Sequence, residues 1–372
     1  MRVLDEEWFR TVDRFGKVGS RHHVIPRFLL QKWADSNGQV WVKSKHDRAE
    51  GRRNTRDLGI KDFYTFLATD GQLDSTVEEM LSVIEKRGAD VLKRLNNPYF
   101  ADVILSHEEF IHLCEFVAIQ VTRSPRRRRE HELLADWYGK TVAAGTTPDR
   151  ITEDDLRGIE FSPHQNEHIG LMIPMADELA RQLLGRPVYL VSIDRPIFLL
   201  GDEAVVLNTS GDAIHHQPEC AVTEEEFKHK LERAVRKKRR RRPEIRRITH
   251  LYTTQPRDIR SAVEIAMPIS PRTVLLFGSE AEDWEGRVVR ERIHGPDAGE
   301  LAAAINERIV EYSLDVIVGR VEDESFRELP IPERAPLMAV CGSGGAAQDA
   351  VMSVPRRLRP NRLNREARPV ES

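Results

Sequence analysis

Apolar residues recur at three- and four-residue spacing in the first half of the chain, and that period predicts helices. Val77, Met80, Leu81, Ile84, Val91, Leu92 and Leu95 form one stripe, which predicts a helix over 77–95. Phe110, Leu113, Cys114, Val117 and Val121 repeat the pattern from about Ser106, where Ser106 and Glu109 have the form of a capping box. Pro125 interrupts that helix, which resumes through His131, Leu134 and Trp137. A third helix is predicted over 164–184.

The second half changes period. Short runs rich in β-branched residues, punctuated by Pro and Gly, predict strands at 188–193, 197–200, 205–208, 248–253, 263–269 and 274–277. A last helix is predicted over 299–318. The N-terminal part reads as a short helix after Pro26, a turn at Ser36-Asn37-Gly38-Gln39, the strand Val40-Trp41-Val42 and a short strand at 63–66. The pattern implies an α+β fold with a helical centre, a mostly antiparallel C-terminal sheet and a small N-terminal α/β segment. Residues 1–19 are expected to be an extension, 20–320 a single domain and 333–372, rich in Pro, Gly, Ala and Arg, a disordered tail.

Charge sharpens this picture at one place. The chain has 57 basic and 60 acidic residues, so a general nucleic-acid coat is excluded and any anion site is local. Arg236, Lys237, Lys238, Arg239, Arg240, Arg241 and Arg242 form an unbroken basic run. Such a run cannot enter a core, because each charge loses hydration that it cannot recover unpaired. It follows Glu224-Glu225-Glu226, and acids before bases suit a helix dipole, so 223–247 reads as an inserted charged helix. The run faces either water or a phosphate backbone; no aromatic residue interleaves it, so it carries no base specificity.

Cys114, Cys220 and Cys341 lie far apart without CxxC spacing, which argues against a disulfide framework and suits a reducing cytosol. The N-terminus has no apolar leader and no apolar run is long enough to cross a bilayer, so a soluble cytoplasmic protein with no membrane partner is expected.

Arg21-His22-His23-Val24-Ile25-Pro26-Arg27-Phe28-Leu29-Leu30-Gln31-Lys32-Trp33 resembles the opening of a bacterial family described as domain of unknown function 4238. Its His-(His)-x-x-Pro-x-x-x-Leu signature is followed there by a strand like Val40-Trp41-Val42 and a pair like Phe63-Tyr64. Later marks are also similar: Gln120-x-x-Arg123-x-Pro125 at a helix end, Phe198-Leu199-Leu200-Gly201-Asp202, Met267-Pro268-Ile269-Ser270-Pro271, and Asn306 on the last helix. The chain departs from the family at Asp202, where Glu203-Ala204 stand in place of Asn-Pro. The resemblance implies a mixed α and β domain over about 20–320 and no particular reaction.

Three short patterns carry candidate chemistry. His22-His23-x-x-Pro26 looks like the start of a His-Asn-His nuclease, in which one His activates water and its neighbour holds a divalent metal; His46 and Asn54 are later partners for it. The plainer alternative is a His pair fixing a turn. Arg126 and His131 fit the Arg-x(4)-His pattern of a metal-independent ribonuclease, although five Arg within 123–129 make the match easy by chance. His164-Gln165-Asn166-Glu167-His168 fits an inverted zinc-protease pattern, with an ordinary helix start as the alternative. His215-His216 reads as an exposed loop pair. No phosphate-binding loop, dinucleotide fingerprint or nucleophile elbow is present.

The leading expectation is a nucleic-acid-directed protein, acting as a metal-dependent nuclease or defence effector on DNA or RNA. His22 and His23 would be the base or metal pair and Asp202 their partner. Arg123, Arg126 and the 236–242 run would hold phosphate, with Arg126 and His131 as an alternative catalytic pair. The competing expectation is a non-enzymatic nucleic-acid-binding or protein-interaction module whose His residues are structural. A divalent metal is the candidate cofactor, and the oligomeric state is open.

Overall fold

The computed structural model describes residues 11–61, 63–96, 103–146, 161, 163–209, 250–253, 259–279, 287–333, 337–341 and 347–348. The 236–242 run, the 223–247 insertion and His215-His216 lie outside the described residues. From the N-terminus come β1 (Arg21–His22), α1 (Arg27–Trp33), β2 (Gln39–Ser44), β3 (Glu50–Asn54), a 3-10 turn (Thr55–Leu58), β4 (Ile60–Lys61), β5 (Phe66–Leu67) and β6 (Leu73–Asp74). The helical centre holds α2 (Thr76–Leu95), β7 (Val103–Ile104), α3 (His107–Thr122), α4 (Pro125–Thr146) and α5 (Gln165–Leu183). Then follow β8 (Val188–Ile193), β9 (Leu200–Gly201), β10 (Val206–Thr209), β11 (His250–Thr253), β12 (Ala262–Ser270), β13 (Thr273–Phe277) and β14 (Arg287–Ile293). The described part ends with α6 (Pro296–Tyr312), β15 (Val316–Gly319), α7 (Glu324–Glu328), β16 (Met338–Cys341) and β17 (Ala347–Gln348).

The expected α+β architecture is what forms. A six-stranded sheet runs β10-β12-β13-β8-β14-β7, antiparallel except for the β14–β8 pair. A second sheet, β3-β2-β15-β9, joins N-terminal and C-terminal strands. Helix α3 packs between α2 and α5. Its Ser106–Glu109 capping box closes as read: Ser106 Oγ accepts from the Glu109 N–H at 3.2 Å, and Glu109 accepts from the Ser106 N–H at 2.8 Å. Pro125 opens α4, where its missing N–H costs nothing.

Two expectations need correction. Helix α6 stops at Tyr312, and 316–319 is a strand between β2 and β9. The β-branched Val316-Ile317-Val318 suits that central place better than a helix end. The 197–200 segment is not a strand until Leu200, because its backbone is held elsewhere. Trp33 Nε1 donates to the Phe198 carbonyl at 2.7 Å, and Asn306 takes the Leu199 N–H and the Ile197 carbonyl, both at 2.8 Å. Of the segment 333–372, residues 334–336, 342–346 and 349–372 lie outside the described residues, and within the rest β16 pairs with β11 and β17. Of residues 1–19, 1–10 lie outside the described residues, and the Arg14 carbonyl accepts from Ser75 Oγ at 2.7 Å.

Close packing of α2 on α3 requires Gly88, where a Cβ would fall 2.4 Å from Phe116 Cγ. That atom is the stem of a fully buried ring, so it cannot swing aside. Alanine is worth about 1 kcal/mol over glycine within a helix, yet Gly88→Ala is expected to lower stability by about 1–2 kcal/mol through overpacking. A urea unfolding midpoint checks this; an unchanged or raised midpoint would refute the packing argument.

Candidate functional site

Marks that are separate in sequence meet in space around Arg123. Its guanidinium donates to Glu85 Oε1 at 2.6 Å and to Gln120 Oε1 at 2.8 Å, while the side chain is fully buried. Tyr64, also fully buried, interacts electrostatically with Arg123, Glu78 and Glu85. The His22 ring stacks on Tyr64 with centroids 5.6 Å apart, and the Tyr64 N–H donates to His22 Nδ1 at 2.9 Å. His23 feels the charges of Glu85, Arg27 and Arg123. The N-terminal signature, the Phe63-Tyr64 pair and the Gln120-x-x-Arg123 phrase therefore build one cluster.

The two signature histidines have different fates. His22 is buried, and since Nδ1 accepts from Tyr64, its proton sits on Nε2, which contacts the Lys17 carbonyl at 3.2 Å. Both nitrogens are committed, so His22 has no lone pair for a metal or for a substrate proton. His23 donates Nε2 to the Thr55 carbonyl at 3.1 Å, which leaves the Nδ1 lone pair open among the described residues. Burial holds His23 below the usual histidine range, against the raising effect of the Thr55 bond, so the neutral form is favoured.

Two glutamates on the polar face of α2 complete the cluster, and reading the sequence for its apolar stripe passed them over. Glu78 and Glu85 stand seven residues apart, two turns along one face. Glu85 is the ion-pair partner of Arg123. Burial, reinforced by the Glu85 charge, pushes the Glu78 carboxyl up to about 7. A carboxyl raised in this way by burial and a neighbouring charge is able to exchange a proton near neutral pH. The i, i+7 spacing of two Glu was the available signal; the buried Arg123 that pairs with Glu85 was not visible.

The other expected site residues are placed apart from this cluster. Asp202 follows β9, and its carboxylate accepts from the backbone N–H groups of Leu314 and Asp315 at 2.8 Å and of Val316 at 3.0 Å. Burial pushes Asp202 up to about 6 against the Val316 and Asp315 N–H donors. It braces the turn between α6 and β15, and does not partner His22 or His23. Gly201 permits this closeness, because a Cβ there would fall 2.0 Å from Ser313 Oγ. Asn54 caps the 3-10 turn by accepting from Arg56 N–H.

Arg123 and Arg126 are buried rather than turned to a phosphate. Arg126 bonds Glu130 at 3.0 Å and the Tyr312 carbonyl at 3.0 Å. His131, five residues on, faces α5, with Nε2 3.8 Å from Glu167 Oε2 and its ring 6.5 Å from that of His168. The Arg126–His131 pair is thus split between two neighbours. His164 caps α5 through the Asn166 N–H, and burial, with Arg128 nearby, pushes His168 down to about 3. Among the described residues no three His, Cys, Asp or Glu side chains converge as cation donors, and His22, whose two ring nitrogens are taken, lacks the lone pair that the expected His22–His23 metal pair needs.

A model of a protein family described as a protein of unknown function, DUF4238, matches residues 21–321. The chain belongs to this family. No curated protein and no solved structure matches the chain. The DUF4238 match spans both the cluster around Arg123 and the Asp202 brace. No helix among the described residues is long and apolar enough to cross a membrane.

Two expectations follow. Glu78 holds its proton more tightly folded than unfolded, so it costs stability as pH rises from its ordinary 4.5 to about 7. Glu78→Gln should therefore leave the melting temperature unchanged near pH 4, raise it increasingly between 4.5 and 7, and hold the gain above that. A flat difference across the range would contradict the raised carboxyl. Asp202→Ala strands buried N–H donors and should cost more than about 3 kcal/mol, measured by chemical denaturation.

Proposed function

We propose that this protein is nucleic-acid-directed and performs metal-independent acid–base chemistry on a phosphodiester at the cluster of His23, Glu78, Glu85 and Arg123. One observation carries the reading: three separate sequence marks converge on a half-buried group in which Glu78 titrates near neutral pH beside an ion-paired Glu85. Near pH 7 Glu78 is close to half-protonated, the condition in which a carboxyl both gives and takes protons efficiently. His23 Nδ1 accepts the proton of the attacking hydroxyl. A P–O bond forms as the ester P–O bond breaks, and Glu78 protonates the departing oxygen. Arg123 touches no substrate in this scheme; it positions Glu85. The anionic substrate class is supported by the basic run at 236–242.

A second reading is a non-enzymatic nucleic-acid-binding module. It is favoured by the structural duties of His22, Asp202 and Arg126, each committed to backbone or internal partners.

Incubation with single- and double-stranded DNA and RNA, with Mg²⁺, with Mn²⁺ or with EDTA, separates the two. Cutting that persists in EDTA, falls at least about 100-fold in Glu78→Gln and in His23→Asn, and follows an apparent pKa near 7 supports the acid–base centre. Cutting lost in EDTA, or retained by both variants, would sink it. Binding without cutting leaves the module reading. In either case, replacing Arg239–Arg242 with Ser should weaken nucleic-acid binding and reduce its salt slope by about 3–4; an unchanged slope removes the run as a phosphate contact.

A further inference from the structure

Away from that cluster, an open groove of about 680 Å³ runs along α6. Its walls are mainly apolar: Leu199, Ala302, Ala303, Val310, Phe326 and Leu329 contribute. Three carboxylates, Glu307, Glu311 and Asp323, line it against one guanidinium, Arg195. Glu307 has no ion-pair partner among the described residues. An apolar trough with an excess of negative charge suits an occupant that alternates apolar and basic residues.

The chain itself carries such a segment. Pro355-Arg356-Arg357-Leu358-Arg359-Pro360-Asn361-Arg362-Leu363-Asn364-Arg365 places two leucines among five arginines. Its tether begins beside the groove. Pro332 lines the groove, and Leu337 and Met338 pack with Leu314, just past the end of α6. The β16–β17 hairpin then returns Gln348 opposite Val340, two residues from Met338. Ten further residues lead to Leu358, a reach of up to about 33 Å. Helix α6, 17 residues long, spans about 26 Å. That reach exceeds the length of the helix along which the groove runs.

We infer that residues 355–365 dock in this groove of the same molecule, with Leu358 and Leu363 on its apolar wall and the arginines toward Glu307, Glu311 and Asp323. Docking in cis is favoured because the short tether supplies an effective concentration in the millimolar range. A bare apolar trough would also be a site for association, which an internal occupant covers.

A photocrosslinking amino acid at the exposed Ala303 of the full chain tests this. Mass spectrometry of a mixture of isotope-labelled and unlabelled protein identifies the partner peptide. The expected result is crosslinking to residues 351–372 within one molecule, reduced at least tenfold by Leu358→Asp with Leu363→Asp. Neither leucine belongs to the described core, and circular dichroism confirms the fold of the variant. Crosslinks between labelled and unlabelled copies, crosslinks to a copurifying protein, none to 351–372, or a yield unaffected by the aspartates would each overturn the inference.

Discussion

A guanidinium fully removed from water must be met by charge and by hydrogen bonds, and Arg123 sets that condition at the centre of this fold. Glu85 supplies the charge from α2 and Gln120 supplies an acceptor from α3. Removing either carboxylate or guanidinium would strand the other, at a cost on the order of 3 kcal/mol. Because the pair ties α2 to the end of α3, it also places the start of α4 and the wall against which His22, His23 and Tyr64 pack. Glu78 owes its raised carboxyl partly to the same arrangement, since the Glu85 charge is held close by.

The next Arg residues repeat the device. Arg126 and Arg127 pair with Glu130, and Arg128 and Arg129 pair with Glu132. Arg128 also lies over the Phe63 ring, 4.9 Å from its centroid. What looks like a surface patch of positive charge is an internal set of ion pairs in which two glutamates serve four arginines of one helix. Such a set contributes less to net stability than to uniqueness, because a shifted helix would leave several charges unmatched.

Elsewhere the fold relies on side chains that satisfy irregular backbone. Arg186 gathers the carbonyls of Ile259, Ala262 and Gly278 at the ends of β12 and β13. Trp33 and Asn306 hold 197–199, and Asp202 holds 314–316. These braces pair backbone groups that the regular strands and helices leave unmet. A buried carboxylate or amide is as useful for organising a turn as for moving a proton, and Asp202 accepts three backbone N–H groups in that way.

Local rules were enough for the helical centre. The apolar stripes of α2 and α3, the Ser106–Glu109 cap and the break at Pro125 each depend on residues within a few positions, and each was legible. The antiparallel character of the six-stranded sheet followed from its short β-branched runs. The second sheet was not legible, because β15 is a strand only by virtue of β2, some 270 residues earlier, and β9. The roles of the site residues lay beyond the sequence for the same reason. His22 and His23 are neighbours with equal chemistry; only the Tyr64 N–H and the Thr55 carbonyl decide that one is spent and the other keeps a lone pair. Burial and pairing are properties of contacts between distant segments, so the sequence determined which chemistry was available and the tertiary structure decided which of it remains free to act.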